Sequence, residues 1–211
     1  MAKQERAVRT RNALIESAAE LFTRDGFEVV SLSTISARAG VSNGALHFHF
    51  ASKAALATAV REAAAQHFAR ITSADPPPPP RGGGSLQTLV DTSHALLRCL
   101  SRDVILRAGF DLSDSAEGAG EGEDLFELWS AWVEDAVARS AREGLLADVA
   151  PRDLVTTVVG ATVGFAALGG HDVHWLSRTT LTRFWSLLLP RVASPHAQPG
   201  LVAAGRWAEA S

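Results

Sequence analysis

The sequence predicts an all-α protein, because apolar residues recur at helical spacing through most of its 211 residues and no segment alternates as a strand does. Tyrosine is absent, and the chain shows no internal repeat. Glycine and proline interrupt the periodicity and separate about nine predicted helices. We expect a small helical domain at residues 1–57, a larger helical domain at residues 58–193 and a flexible tail at residues 194–211.

Composition narrows the class of protein. Hydrophobic residues make up 46% of the chain and charged residues 20%, as in a globular protein with a sizeable core. The first 22 residues contain Glu5, Glu16 and Glu20 and lack the apolar centre of a signal peptide. The longest apolar stretch, at about 155–168, is shorter than the ~20 residues that span a bilayer, and the one cysteine, Cys99, suits a reducing compartment. We therefore expect a cytoplasmic protein with no membrane segment, metal or cofactor.

Charge is distributed unevenly along the chain. Residues 1–57 carry seven basic and five acidic side chains, whereas the whole chain has a net charge of −3. A mildly basic N-terminal segment on an acidic remainder suits local contact with phosphates rather than general coating of nucleic acid.

The first helix is predicted at residues 8–24, where Leu14, Ala18 and Leu21 fall on one face. Gly26 follows at a position where glycine commonly ends a helix.

Two short helices are predicted next. Ser31 or Ser33 can cap the second helix, Gly40 ends it, and Ser42 can cap the third. Residues 39–41 are small at the turn between them, so the two helices can cross closely. Three helices with a tight glycine-containing turn between the last two describe a helix-turn-helix.

The start of the third helix has the properties of a DNA-reading edge. Ser42, Asn43 and Gly44 are small and polar or lack a side chain, so the backbone can approach DNA closely. Helix starts at residues 31–33 and at Lys53 offer N–H groups, and in the second case a full charge, to phosphates.

Two loops of unusual composition divide the rest of the chain. ADPPPPPRGGGS, at residues 74–85, cannot be helical because its prolines favour an extended conformation. Residues 111–123 are acidic and rich in glycine and serine, so we expect a mobile loop there. Periodicity predicts the remaining helices at about 53–70, 86–102, 103–110, 124–143, 151–168 and 176–191.

The segment LFTRDGFEVVSLSTISARAGVSNGALHFHFASKAALA resembles the DNA-binding segment of the TetR family, and the resemblance extends over residues 8–56. It follows that family's pattern almost continuously: the aromatic end of the first helix, the I-A-x-x-A-G-V-S helix and turn (here ISARAGVS), the x-G-x-L-(Y/H)-x-H-F helix and the S-K start of the fourth helix. The resemblance implies contacts to phosphates from the second and fourth helices and to the major groove from the third. The implied DNA-binding residues are Ser31, Ser33, Ser42, Asn43, Gly44, Ala45, His47, His49 and Lys53.

Two of these residues depart from the family pattern, and a third has a second interpretation. Asn43 stands where the family often has lysine, and His47 where it usually has tyrosine. Asparagine can read adenine through a bidentate pair worth ~1–3 kcal/mol of discrimination, and the missing cation predicts a shallower salt dependence. His49 has a second interpretation, in which it packs between the third and fourth helices.

The stretch GVSNGALHFHFASKAALA is similar to the γ-butyrolactone receptors, which regulate antibiotic production and morphological change in filamentous actinobacteria. Those receptors place a pocket tryptophan about four turns before the end of a helix, and Trp129 fits that spacing better than Trp132. A tryptophan in an amphipathic helix can equally belong to the core. The expected ligand residues are Trp129, Phe126, Val133, Leu97, Ile105, Phe110, Val159, Thr162 and Phe165.

The resemblance also implies a homodimer through the last two long helices, where Gly160 and Gly164 permit close packing. A two-fold dimer binds a palindromic operator in double-stranded DNA, with half-sites about one DNA turn apart or somewhat more. A small apolar ligand that rotates the fourth helix would change the spacing of the two recognition helices and release the operator.

Several alternatives stay open at this point. Residues 40–44 match the G-x-S-x-G elbow of hydrolases, although a helix rather than a strand is predicted before Ser42. His171 and His174 are too few to hold a metal. A repressor that senses an antibiotic or a biosynthetic intermediate, a pseudo-receptor, and a helical interaction module without DNA binding would share the predicted fold. We expect no catalytic residues.

Overall fold

The structure is a computed structural model, and it describes residues 2–73, 83–114 and 123–206. Over these residues the chain forms nine α-helices and no β-strand, which confirms the predicted all-α class. The helices are α1 (Ala2–Asp25), α2 (Leu32–Arg38), α3 (Asn43–His49), α4 (Lys53–Ser73), α5 (Gly84–Leu100), α6 (Val104–Asp114), α7 (Leu125–Arg142), α8 (Pro151–Gly169) and α9 (Arg178–Val192). None of the described helices combines the length and apolarity needed to cross a membrane.

The chain divides into two compact units, and the division differs from the domain boundary expected at residue 57. The first unit combines Met1–Phe68 with Asp103–Phe126, and the second combines Ala69–Arg102 with Glu127–Ser211. α6 joins the N-terminal helices because Ala108 and Leu112 are buried in the same apolar core as α1. Periodicity shows that α6 has an apolar face, but it does not show which helix covers that face.

The core of the first unit follows the predicted helical stripe. Leu14 and Ala18 of α1 are fully buried, and they share a core with Ile35 of α2 and Leu46 of α3. α1 itself begins earlier than predicted, at Ala2. Because α2 and α3 each bury one face against this core, their other faces remain available to a partner.

The C-terminal segment is packed where the sequence predicted a flexible tail. Asp91 of α5 is fully buried, and its carboxylate accepts from the guanidinium of Arg206 at 2.7 Å. The backbone N–H of Val202 donates to Gln87 Oε1 at 2.7 Å. A buried carboxylate requires partners of this kind. The prediction is therefore wrong as far as Arg206, while residues 207–211 lie outside the described part of the chain.

The two loops predicted from composition fall largely outside the described residues, which exclude residues 74–82 and 115–122. Beside these two loops the helices extend further than predicted. α5 begins at Gly84, and α6 continues to Asp114.

Candidate nucleic-acid interface and ligand residues

Hydroxyl side chains cluster at the start of α2. Ser31 caps the helix, because its Oγ accepts a hydrogen bond from the Thr34 backbone N–H at 3.1 Å. The same oxygen lies 2.8 Å from the hydroxyls of Ser33 and Thr34, and all three side chains are exposed. Exposed hydroxyls can donate to phosphate oxygens, which is the role expected of Ser31 and Ser33. Thr34 shares this position, although the sequence analysis did not single it out.

The turn between α2 and α3 requires glycine at its centre. Gly40 has a φ of +68°, in the left-handed region that favours glycine. Its N–H donates to the Ala37 carbonyl at 3.2 Å, and the next N–H, of Val41, donates to the Ser36 carbonyl at 3.0 Å. These bonds close the end of α2 and set the direction in which the chain enters α3.

α3 presents an open leading edge. Ser42 caps the helix by accepting from the Ala45 N–H at 3.2 Å. Ser42, Asn43 and Gly44 are exposed, whereas Leu46 is fully buried. A Cβ added at Gly44 would have Ser42 Oγ, 3.9 Å away, as its nearest contact, so the backbone there is accessible. One face of α3 is thus anchored in the core and the other faces solvent, as entry into a major groove requires.

The side chain of Asn43 is already engaged within the protein. Its Oδ1 lies 2.5 Å from the hydroxyl of Ser36, a residue of α2 that is 3% exposed. A bidentate pair with adenine uses both the oxygen and the nitrogen of the amide. The structure therefore does not leave Asn43 free in the way the sequence analysis assumed. The signal in the sequence was Ser36 itself, a serine where the TetR pattern has alanine.

Lys53 is bonded to the protein's own backbone. Its Nζ donates to the carbonyl oxygens of Phe27 at 2.8 Å and Glu28 at 3.0 Å, and it lies 4.4 Å from the centre of the Phe27 ring. An ammonium has three donors, so one is left for a phosphate. Lys53 thereby fastens the loop after α1 to the start of α4, a structural role that the resemblance did not indicate.

The two predicted histidines lie in different surroundings. His47 is exposed, whereas His49 is half-buried. The His49 ring centre lies 5.2 Å from that of Phe48 and 6.4 Å from that of Phe50. Both rings belong to its neighbours in the chain, so packing of His49 between the third and fourth helices stays a prediction. Contact of His47 with the DNA backbone stays a prediction.

Phe48 is a surface residue that the sequence analysis missed. It is 81% exposed on α3, while Phe50 is 4% exposed. Residues two apart do not share a helix face, so only one of these rings can point into the core. The two-residue spacing of Phe48 and Phe50 in the sequence therefore predicts that one of the two rings is exposed. An exposed aromatic ring on a recognition helix can contact thymine methyl groups.

Six of the expected ligand residues lie in the second unit. Trp129 is fully buried, its indole N–H donates to Thr162 Oγ1 at 2.7 Å, and its ring stacks on that of Trp132 with 5.4 Å between centres. The others in this unit are Leu97, Val133, Val159 and Phe165. Trp129 therefore combines a core position with a fixed polar partner.

The remaining three lie in the first unit. Phe110 and Phe126 pack edge to face, with 5.3 Å between ring centres. Ile105 packs against the N-terminal core that α1 shares with α2 and α3. Within this unit Ile105 accordingly has a packing role.

The second unit contains a cavity of about 230 Å³ beside α5 and the start of α9. Arg98, Arg102 and Arg178 line it together with Leu97, and no acidic side chain of the described residues does. His94 lies on the same wall, where burial lowers the pKa of its imidazole and the charge of Arg178 adds to that lowering. The cavity therefore favours an anionic group. It was not found from sequence because α5 and α9 are far apart along the chain.

The residues considered for a hydrolase elbow and for a metal site have structural roles instead. Ser42 follows a helix and a turn rather than the strand that a hydrolase elbow needs, and its Oγ caps α3. Asp172, between the two histidines considered for metal binding, accepts from the His174 N–H at 2.9 Å and caps a short 3-10 turn. Within the described ranges no group of three or more side chains is arranged to hold a metal ion.

A family profile and a characterised relative both match this chain. Residues 14–60 match the sequence profile described as "Bacterial regulatory proteins, tetR family". The chain is 31% identical over 201 residues to the A-factor receptor protein of Streptomyces griseus, covering 92% of this chain and 68% of that protein.

Solved structures show the same relationship. The chain is similar to the crystal structure of a γ-butyrolactone receptor (ArpA-like protein), with 27% identity, a TM-score of 0.77 and coverage of 94% of this chain and 96% of that one. It is also similar to the TetR-family protein CprB of Streptomyces coelicolor in complex with its biological operator sequence. That match has 27% identity, a TM-score of 0.72 and coverage of 92% of this chain and 96% of that one.

Proposed function

Because the chain belongs to the TetR family of bacterial regulatory proteins, in the branch of the γ-butyrolactone receptors, we propose that it is a ligand-responsive transcriptional repressor. A homodimer binds a palindromic operator at antibiotic or secondary-metabolite genes. A small apolar signal such as a γ-butyrolactone releases it. The protein works in the cytoplasm, beside the chromosome, and regulates rather than catalyses.

The open edge of α3 carries this proposal. Asn43 and Gly44 are exposed at the start of a capped helix, and the hydroxyls of Ser31 and Ser33 lie exposed at the start of α2. A reading edge beside phosphate-binding groups is the arrangement that a helix-turn-helix uses on duplex DNA. CprB, a relative of similar fold, has been solved with its operator.

Small and apolar surface residues on α8 and α9 support the homodimer. Cβ atoms added at Gly160 and Gly164 would meet nothing within 4 Å. Leu187 of α9 is 83% exposed and Leu168 of α8 is 42% exposed. Exposed apolar side chains and open glycines on two consecutive helices suit close packing against a second copy. Leu187→Glu is expected to convert dimers to monomers in light-scattering measurements, and a dimer that persists would contradict this interface.

The stacked tryptophans support the ligand site. The rings of Trp129 and Trp132 stack as a rigid apolar pair, and the Thr162 hydroxyl holds the Trp129 indole N–H. Trp129 is fully buried and Trp132 half-buried, so Trp132 is the ring of this pair that a ligand can reach in this conformation. In this proposal the ligand displaces α4, the helix that follows the DNA-binding segment, and so changes the spacing of the two α3 helices. A ligand-linked loss of ~3–5 kcal/mol in operator affinity is sufficient for release.

The arginine-lined cavity favours a second candidate for the signal, one that carries a carboxylate. Arg98, Arg102 and Arg178 supply three positive charges around an apolar floor that includes Leu97. Guanidinium groups pair with carboxylates more readily than with an uncharged lactone ring. The two candidates therefore differ in the charge of the ligand.

DNA binding is tested first with Gly44→Glu, assayed by gel shift on DNA from the protein's own upstream region. The new side chain meets no close neighbour, but its carboxylate stands where DNA phosphates and bases must approach. We expect loss of at least tenfold in affinity with an unchanged circular dichroism spectrum. Gln66→Glu, at an exposed position of α4, adds the same charge away from α3 and serves as the control. Equal binding by the two variants would contradict the assigned interface.

Ligand response is tested by titrating the wild-type complex with a γ-butyrolactone and, separately, with its ring-opened hydroxy acid. Release by the lactone, weakened in Trp129→Phe, supports the tryptophan site. Release by the hydroxy acid, weakened in Arg98→Gln, supports the arginine-lined cavity. Unchanged operator binding at saturating concentrations of both compounds would contradict the proposed response to this class of signal.

A further inference from the structure

We propose that the buried hydroxyl of Ser36 sets the hydrogen-bonding polarity of Asn43 and thereby determines which base edges α3 reads. This rests on the operator binding proposed above. Ser36 lies in the middle of α2 and Asn43 begins α3, so the pair joins the two helices of the motif. Because Ser36 is 3% exposed, it acts through Asn43 and is a positioning residue rather than a contact to DNA.

The direction of the bond follows from the number of hydrogens available. Ser36 Oγ lies 2.5 Å from Asn43 Oδ1 and 3.0 Å from the Ser33 carbonyl oxygen, and both of these oxygens are acceptors. A serine hydroxyl carries one hydrogen. O–H···O bonds fall at about 2.5–3.0 Å, so the contact with Ser33 is at the long end of that range and the contact with Asn43 is the strong one. Ser36 therefore donates to Asn43.

Asn43 is left as a hydrogen-bond donor toward solvent. Its oxygen is held by Ser36, and among the described residues its amide nitrogen has no hydrogen-bond partner. In the major groove, guanine N7 and O6, adenine N7 and thymine O4 accept hydrogen bonds, whereas cytosine N4 and adenine N6 donate them. Held in this way, Asn43 turns its oxygen toward the buried Ser36 and leaves its N–H groups for DNA, so it favours base edges that accept. The two-bond pair with adenine would have to use the second lone pair of an oxygen already directed at Ser36, and it is therefore disfavoured.

The backbone on either side of the pair is fixed. The Val41 N–H donates to the Ser36 carbonyl at 3.0 Å, and Ser42 caps α3. Removal of the Ser36 hydroxyl therefore leaves the Asn43 backbone in place and frees its amide to rotate. A rotated amide can present its oxygen to donors such as cytosine N4 or pair with adenine through both atoms. Ser36→Ala should change base preference rather than overall affinity.

The test measures binding to every single-base variant of an operator half-site. Asn43→Ala identifies the base pair that Asn43 contacts. At that pair we expect the wild type to favour accepting edges about three- to tenfold, the worth of one hydrogen bond. Ser36→Ala should reduce this preference to under about twofold on the same basis, and Ser36→Thr, which keeps the hydroxyl, should restore it. In the Asn43→Ala background, Ser36→Ala should have no further effect on preference.

The control is Ser140→Ala. Ser140 is a fully buried helical serine in α7 whose hydroxyl donates to the Ala136 carbonyl at 2.8 Å, and it lies outside the DNA-binding segment. It reports the general cost of deleting such a hydroxyl. A DNA-free readout accompanies it: the side-chain amide signals of Asn43 in a nitrogen–proton NMR spectrum should move in Ser36→Ala and stay in place in Ser140→Ala.

The outcomes separate the inference from the proposed function. A wild-type protein that binds its operator, together with a Ser36→Ala variant of unchanged base preference, overturns the role of Ser36. Asn43 amide signals that do not respond to Ser36→Ala overturn it as well, independently of DNA. A wild-type protein that shifts no DNA overturns the proposed function, and the role of Ser36 in reading bases with it.

Discussion

The DNA-binding segment and the second unit are each stabilised by internal contacts, and these contacts differ greatly in their separation along the chain. Ser42 caps α3 through a residue three positions away, and Ser36 reaches Asn43 across seven positions. In the second unit, Asp91 is held by Arg206 at a separation of 115 positions. The difference shows why a motif can be recognised from the DNA-binding segment, whereas the organisation of the second unit depends on pairs that no local pattern reveals.

If long-range pairs stabilise the second unit, removing one should destabilise the protein more than any single substitution at the turn or the cap of the DNA-binding segment. Asp91→Ala leaves Arg206 with no buried counter-charge and removes the acceptor for Gln87. Breaking a buried ion pair from one side costs about 3–5 kcal/mol. We expect a loss of this size in the free energy of unfolding, measured with urea.

The matched control for that prediction is Asp153→Ala. The Asp153 side chain is 74% exposed and pairs with exposed Arg152 at 3.5 Å, so its loss should cost less than about 1 kcal/mol. Equal losses in the two variants would show that the Asp91–Arg206 pair does not hold the C-terminal segment in place.

Among substitutions at the turn and the cap of the DNA-binding segment, the largest effect should come from the turn. Gly40→Ala places a side chain at a φ of +68° with nothing within 4 Å, so strain alone acts, and it costs about 1–2 kcal/mol of unfolding free energy. Gly44→Ala, in a helix with ordinary φ, should instead be neutral or stabilising by up to about 1 kcal/mol. Chemical denaturation of the two variants separates backbone strain at Gly40 from the general effect of replacing a glycine by alanine. Destabilisation of equal size in both variants would rule out strain as the cause.

A smaller effect is expected at the cap of α3. Ser42→Ala removes the acceptor for the Ala45 N–H and should cost about 1 kcal/mol, whereas Ser42→Gly should cost only a few tenths of that. Thermal and urea unfolding measure both. An alanine variant no less stable than the glycine variant would contradict the capping role.

The smallest effect concerns pH and the second unit. Burial lowers the pKa of His94 below its ordinary value of 6.5, so the folded protein protonates this imidazole at a lower pH than the unfolded chain does. As the pH falls below about 6.5, the unfolded chain binds a proton that the folded chain does not, and the free energy of unfolding declines. Well above that pH the imidazole is neutral in both states, so His94 does not contribute to the pH dependence of the free energy of unfolding. His94→Gln should therefore gain stability relative to the wild type between pH 7.5 and about 5, and parallel pH profiles of the two proteins would contradict this.

The sequence predicted those features that local spacing determines. The stripe of Leu14 and Ala18, the glycine at the turn and the exposed start of α3 all follow from periodicity, caps and one conformational requirement. The bonds of Lys53 to two carbonyl oxygens were not predictable, because they depend on where the loop after α1 returns. The same holds for the packed C-terminal segment, whose anchor on Asp91 forms only once the chain has folded.

The claim that a dimer inserts its paired α3 edges into DNA is tested most directly by a methylation-protection footprint. The footprint is measured for the wild-type protein on the operator from its own upstream DNA. We predict protection of guanine N7 in the major groove at two half-sites on one face of the duplex, with centres about 34 Å apart or somewhat more. Gly44→Glu should abolish both. Protection of a single site, or of two sites on opposite faces, would contradict a dimer that inserts its paired α3 edges into DNA.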